Sequence, residues 1–215
     1  MNLLLKLSEL YDDEQFSDGL VLDFRSLEGT NSYCSEEAAS RITEELCRYP
    51  LGGVHWIDTG DYHYVTALFL QNVKEPFHLA LFDNHRDDQS GAFGDSTLSC
   101  GNWVSWLERN NPLMLSHSFN QVPACSGLPV YLSLDLDVLS PDFMRTNWDQ
   151  GNLTLDELES LFLETVRNHR ILAVDVCGGK TIAKGAERED LSVNLETRER
   201  LKRLFGKVLP SQREV

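Results

Sequence analysis

Two short segments concentrate side chains suited to divalent metal chemistry. In the first, the apolar run Leu79-Ala80-Leu81-Phe82 leads directly into Asp83-Asn84-His85-Arg86-Asp87-Asp88. Side chains two apart in an extended chain point to the same side, so the spacing predicts convergence of Asp83, His85 and Asp87. Two oxygen donors and one imidazole form half of a site for a borderline divalent ion. In the second, Val130-Tyr131-Leu132-Ser133-Leu134 delivers Asp135 and Asp137 to one face before Pro141 ends the ladder. Two carboxylates cannot be buried together unless one is protonated or a cation neutralises them. A third fragment, Ile57-Asp58-Thr59-Gly60-Asp61-Tyr62-His63-Tyr64, adds His63, with Gly60 permitting a tight turn. Taken singly, each fragment has a plain structural reading as a turn, a cap or a packed histidine. It is their common place after apolar strands that favours a metal site.

The number of donors favours two ions over one. Four aspartates and two histidines make six ligands, and a single ion would leave several buried carboxylates unneutralised. Two divalent ions about 3.5–4 Å apart, joined by shared carboxylates, use them all. The oxygen-rich set, with one imidazole per ion, suits Mn²⁺ better than Zn²⁺. A water between two such ions is acidified and becomes a nucleophile near neutral pH, which is hydrolytic chemistry.

Alternating strands and helices must position these segments. Strands are expected at 19–24, 53–57, 77–82, 113–116, 130–136 and 171–176. Helices are expected at 35–47, from 64 to 70, at 103–109, 154–168 and 195–208. Residues 154–168 carry Leu155, Leu158, Leu161, Phe162 and Val166 at helical spacing. Ser35 is placed to cap its helix, with Glu36 and Glu37 in the first turn. Strands separated by helices of this length indicate parallel β-α-β units with right-handed crossovers. Ligands bind such sheets beyond the carboxyl ends of the strands, where the aspartates fall. The expected fold is a single α/β domain over residues 1–215.

Composition narrows the partners. The chain has 215 residues, 34 acids against 19 bases and a formal net charge of -15. That balance repels phosphate backbones and anionic lipid, so nucleic acid and membrane are not expected partners, and a small-molecule substrate is. The opening Met-Asn-Leu-Leu-Leu-Lys-Leu is too short and too soon charged for a signal peptide. Cys34, Cys47, Cys100, Cys125 and Cys177 are odd in number and scattered, against a disulfide framework or a thiolate zinc site. A cytoplasmic location is expected.

These segments resemble the ureohydrolase superfamily of arginase, agmatinase and formimidoylglutamase. That family carries Gly-Asp-His, Asp-Ala-His-x-Asp and Ser-x-Asp-x-Asp-x-x-Asp-Pro in this order. Here the matches are Gly60-Asp61-Tyr62-His63, Asp83-Asn84-His85-Arg86-Asp87 and Ser133-Leu134-Asp135-Leu136-Asp137-Val138-Leu139-Ser140-Pro141. The resemblance covers roughly residues 50 to 180 and implies a three-layer α/β sandwich with a mostly parallel sheet and a binuclear Mn²⁺ centre. It implies one ion on His63, Asp83, Asp87 and Asp135, and a second on Asp83, His85, Asp135 and Asp137. Asp83, Asp135 and Asp137 are then the candidate catalytic residues, a bridging hydroxide attacking an amidino or guanidino carbon. Oligomers are common in that family, so a homo-oligomer is compatible with the reading, although no interface is legible in the sequence.

The departures bear on the substrate. The stretch Leu98-Ser99-Cys100-Gly101-Asn102-Trp103-Val104 lacks the family's proton-transfer histidine. Val174-Asp175-Val176-Cys177-Gly178 has Gly178 where the family places a guanidinium-gripping Glu, and Ser140 replaces the Asp before Pro141. The expected substrate is a guanidino or amidino small molecule other than arginine. His117, His55 and Asp61 are the remaining candidate proton carriers, and the loops at Tyr33-Cys34 and Trp148-Asp149-Gln150 are candidate pocket walls. Two alternatives are a deacetylase-like amidohydrolase with one metal, and a metal-binding regulatory protein without activity.

Overall fold

The computed structural model describes residues 1–12, 16, 19–90, 96–124 and 127–209; Cys125 and part of the polar stretch after Asp88 lie outside these. The first half runs β1 (Asn2–Lys6), β2 (Gly19–Asp23), β3 (Tyr33–Cys34), α1 (Glu36–Leu46), β4 (Val54–Trp56), α2 (Val65–Leu70) and β5 (Phe77–Phe82). The second half runs β6 (Leu98–Ser99), α3 (Trp103–Asn110), β7 (Met114–Phe119), β8 (Val130–Asp135), α4 (Leu155–Asn168), β9 (Ile171–Cys177) and α5 (Arg188–Val208).

Seven strands form one sheet in the order β2-β1-β4-β9-β8-β5-β7, and every pairing within it is parallel. The short β3 and β6 pair separately and antiparallel. Helices cover both faces, which gives the expected three layers. Alternate residues of each strand serve opposite cores: Leu79, Leu81, Tyr131 and Ala173 pack with α1, α2 and α3. Ala80, Phe82, Leu132, Leu134 and Val174 pack with α4 and α5. Burial on both faces explains why these strands read as unbroken apolar runs.

Local signals fix the helices. Ser35 Oγ accepts from Ala38 N at the start of α1, and Thr154 forms a full capping box with Glu157 at the start of α4. Leu155, Leu158 and Phe162 are buried on the inner side of α4, each contributing about 2 kcal/mol. No helix among the described residues is long and apolar enough to cross a membrane.

The short β3 and β6 were not expected, and three further elements differ from expectation. The opening Asn2–Lys6 segment is an inner strand with Leu3, Leu4 and Leu5 buried, paired on both sides. Strand β7 continues to Phe119 because its residues 116–119 pair with β5. Helix α5 starts at Arg188, seven residues before the expected Leu195, from a capping box between Glu187 and Asp190. Its first two turns are mostly polar and lack the apolar spacing that marks the rest.

Candidate metal centre

In the sheet order, β5, β8 and β9 are adjacent, and their carboxyl ends carry the acids side by side. Phe82 is in register with Leu134, and Asp135 with Cys177. Asp83 follows β5, Asp135 closes β8 and Cys177 closes β9. His63 comes from the turn between β4 and α2, above the face of β8 that also carries Ser133. Asp83, Asp87, Asp135, Asp137 and His63 are all buried.

The expected residues converge, but by bends and turns in place of extended chain. Asp83, Asn84 and His85 form a bend in which Asp83 Oδ1 accepts from His85 N at 2.6 Å, and Asp87 takes a left-handed backbone, φ 51°. The chain also leaves the extended state directly after Asp135, and Leu136–Val138 form a 3-10 turn. Asp135 Oδ1 accepts from Asp137 N at 3.0 Å and caps that turn. The extended-chain geometry expected for both segments is thus incorrect. Once the ladder ends, these carboxylates fold back on the nearest free amides.

Two groups of donors result. His63 Nδ1 lies 3.2 Å from Asp83 Oδ2, 3.1 Å from Asp87 Oδ2 and 3.4 Å from Asp135 Oδ2. His85 Nδ1 lies 2.8 Å from Asp137 Oδ2 and 3.6 Å from Asp83 Oδ1. Asp83 therefore offers one oxygen to each group. Ligands about 2.1–2.2 Å from one ion in an octahedral shell sit about 3 Å from one another, the spacing seen around His63.

The polar inventory fits a cation. His63 Nδ1 and Asp83 Oδ2 are buried and make no hydrogen bond. Buried polar atoms are otherwise nearly always satisfied, and an ion between them would serve both. The ligand side chains are held from behind: His63 Nε2 is 2.8 Å from Ser133 Oγ, and Trp103 Nε1 donates to Asp87 Oδ2 at 2.6 Å. Asn84 N donates to Asp137 Oδ1 at 3.0 Å.

Electrostatics point the same way. Burial, with Asp135 next, pushes the Asp137 carboxyl up to about 8. Burial likewise raises Asp87 to about 6, and burial with Asp83 raises Asp135. Burial opposes ionisation of Asp83 too, but the adjacent His63 and His85 hold it at about 2. The hydrogen bond to Asp137, with Asp83 close by, lifts His85 to about 10. Four carboxylates this close demand positive charge, from protons or from divalent ions.

Sequence reasoning passed over Cys177 as a member of the cluster. Its Sγ donates to Asp135 Oδ2 at 3.0 Å, and with His63 and Asp135 it forms a third group of close donor atoms. Only the register of β9 against β8 reveals this. Next to it, Gly178 adopts φ 104°, and a Cβ there would lie 2.6 Å from Asp135 Oδ1. The position can hold no side chain while Asp135 keeps its place.

A cavity of about 320 Å³ opens above the acids, walled by Tyr33, Gln89, Ser99, Cys100, Asn102 and Trp148. The expected loops at Tyr33 and Trp148 do line it. The three candidate proton carriers do not. His55 is buried against Asp175, His117 pairs with Glu108 at 3.2 Å, and Asp61 accepts from Ser32, Thr59 and Asn147.

No protein-family model matches the sequence. A protein of undescribed function from Thermotoga maritima is 29% identical over 145 residues, covering 59% of this chain and 58% of that protein. The chain thus spans less than two thirds of that relative's length. Among solved structures, Entamoeba histolytica arginase superposes with a TM-score of 0.65 at 11% identity, covering 95% of this chain and 98% of that one. Proclavaminate amidino hydrolase from Streptomyces clavuligerus gives 0.64 at 13% identity, covering 87% and 75%. Formimidoylglutamase from Bacillus subtilis gives 0.64 at 12%, covering 98% and 87%. At these identities the likeness is one of architecture: the chain has the three-layer α/β fold of the arginase-like ureohydrolases.

Proposed function

We propose that the protein is a ureohydrolase-type enzyme that holds two Mn²⁺ ions and hydrolyses a linear C–N bond in a guanidino or amidino small molecule other than arginine. The observation that carries this reading is the division of Asp83, with Oδ2 facing His63 and Oδ1 facing His85. One ion would be held by His63, Asp83, Asp87 and Asp135, the other by Asp83, His85, Asp135 and Asp137. Such a pair supplies an acidified water as nucleophile near neutral pH.

The chain's own residues supply the setting. Ser133, Trp103 and the Asn84 amide fix the ligand atoms from behind, so little reorganisation is needed when charge develops. The buried floor keeps bulk water from the back of the site, and the cavity admits substrate from one side. The reading against arginine rests on Gly178, which leaves no room for a carboxylate at the end of β9.

The test is reconstitution with Mn²⁺, elemental analysis, and a substrate panel of guanidino, amidino, formimidoyl and acetylated compounds. Two equivalents of metal with urea or ammonia release are expected. Less than one equivalent of any divalent ion overturns the proposal, and one equivalent with acetyl release moves it to a deacetylase-like enzyme. Gly178 and the missing histidine also motivate a silent metal-binding reading, which turnover of any panel member rules out.

A further inference from the structure

We propose that Trp148 receives the cationic group of the ligand on its exposed ring face and so sets a preference for charged over neutral ligands. The inference rests on the hydrolase reading for the reaction served, but the binding itself is separately measurable.

Trp148 lies in the loop between the 3-10 turn at Leu136–Val138 and α4. Its neighbours are tied down on both sides. Gln150 Nε2 donates to Leu139 O at 3.1 Å and Met144 O at 2.8 Å, and Asn147 Nδ2 donates to Asp61 Oδ2 at 2.9 Å. Asn84 Nδ2 donates to Asp149 O at 3.0 Å, linking the loop directly to the metal-binding bend.

The ring is placed over the site by the absence of a side chain at Gly60. A Cβ there would lie 3.0 Å from Trp148 Cδ1 and 3.1 Å from Asp135 Oδ2, so indole and carboxylate share the space above this glycine. The ring also stands edge-on to His85, centroids 6.0 Å apart at 69°. Despite these contacts Trp148 is 41% exposed and faces the cavity. A large aromatic held by fixed neighbours and left open on one side is a preformed surface for a ligand.

The chemistry of the cavity says which ligand. Its four carboxylates, Asp83, Asp87, Asp135 and Asp137, all belong to the metal groups. No Lys or Arg lines it among the described residues, and Gly178 contributes no acid. Among the described residues, a guanidinium or amidinium entering the metal-loaded site therefore meets no spare carboxylate. Beside neutral hydrogen-bond acceptors, the described lining offers that charge an aromatic face, and indole is the strongest of these. A planar, weakly hydrated guanidinium stacks on such a face with little desolvation cost.

The experiment compares butylguanidinium with its neutral isostere butylurea, both at millimolar concentration, by calorimetry on Mn²⁺-loaded protein. Wild type is expected to bind the cation roughly tenfold more tightly. Trp148→Leu should bring that ratio towards one, while Trp148→Phe should keep most of it. Equal ratios in wild type and Trp148→Leu overturn the proposal, as does a wild type that prefers neither ligand. Metal content and thermal unfolding of each variant are recorded alongside. A protein that holds no metal but loses the ratio in Trp148→Leu defeats the hydrolase reading alone. One that holds metal and turns over substrate with the ratio unchanged defeats this inference alone.

Discussion

Ser133 Oγ lies 2.8 Å from His63 Nε2, and this contact decides which ring nitrogen faces the acids. With Nε2 engaged by the hydroxyl, Nδ1 is directed at Asp83, Asp87 and Asp135. Ser133→Ala should leave the fold intact, weaken Mn²⁺ binding by about 10–100-fold and be partly rescued by Ser133→Thr. Chelator competition measures it. An unchanged affinity would show that the contact does not orient the ring.

Asp83 belongs to both donor groups, whereas Asp87 and Asp137 each belong to one. Asp83→Asn should therefore lower the affinity for both ions. Asp87→Asn and Asp137→Asn should each reduce the metal content towards one equivalent, read by elemental analysis after dialysis. In metal-free protein the sign reverses for stability: Asp137→Asn removes a crowded buried carboxyl and should raise the melting temperature.

Beneath the site, His55 Nδ1 meets Asp175 Oδ1 at 2.7 Å, Tyr131 donates to the same oxygen at 2.7 Å, and the His55 ring stacks on Phe69. His55, Tyr131 and Asp175 come from β4, β8 and β9, and all four residues are buried. Asp175→Leu alone should cost about 3 kcal/mol, because it strands His55 and Tyr131. The double change His55→Leu with Asp175→Leu should cost less than the sum of the two single changes. Urea unfolding checks both, and simple additivity would contradict the coupling.

His78 places its ring nitrogens 2.7 Å from Ser116 Oγ and 3.0 Å from Ser118 Oγ. Burial, then nearby His117 and His169, lowers it to about 4 from the ordinary 6.5. The folded protein favours the neutral ring, while the unfolded chain takes up the proton first. Its contribution is thus complete above pH 6.5 and lost as pH falls towards 4, by about 3 kcal/mol at most. The difference in unfolding free energy between wild type and His78→Gln should shrink over that window. A difference independent of pH would refute the assignment.

Much of the fold was legible because parallel strands are buried on both faces. Phe77–Phe82 and Val130–Asp135 announce themselves as apolar runs, and α4 by its helical spacing. Strand β1 was not, since three leucines beside the N-terminus acquire a strand identity only from β2 and β4 on either side. Nor was the early start of α5, whose first turns are polar.

The sequence by itself determined which donors are present, that they follow strand ends, and that burying them together calls for protons or a cation, because residue type and spacing set those properties locally. Only the tertiary structure decided that Asp83 divides its oxygens between two histidines, that Cys177 backs Asp135, and that Trp148 stands over Gly60. These relations join residues far apart in the chain. They depend on strand order, on register, and on where the backbone stops being extended, which no local pattern encodes.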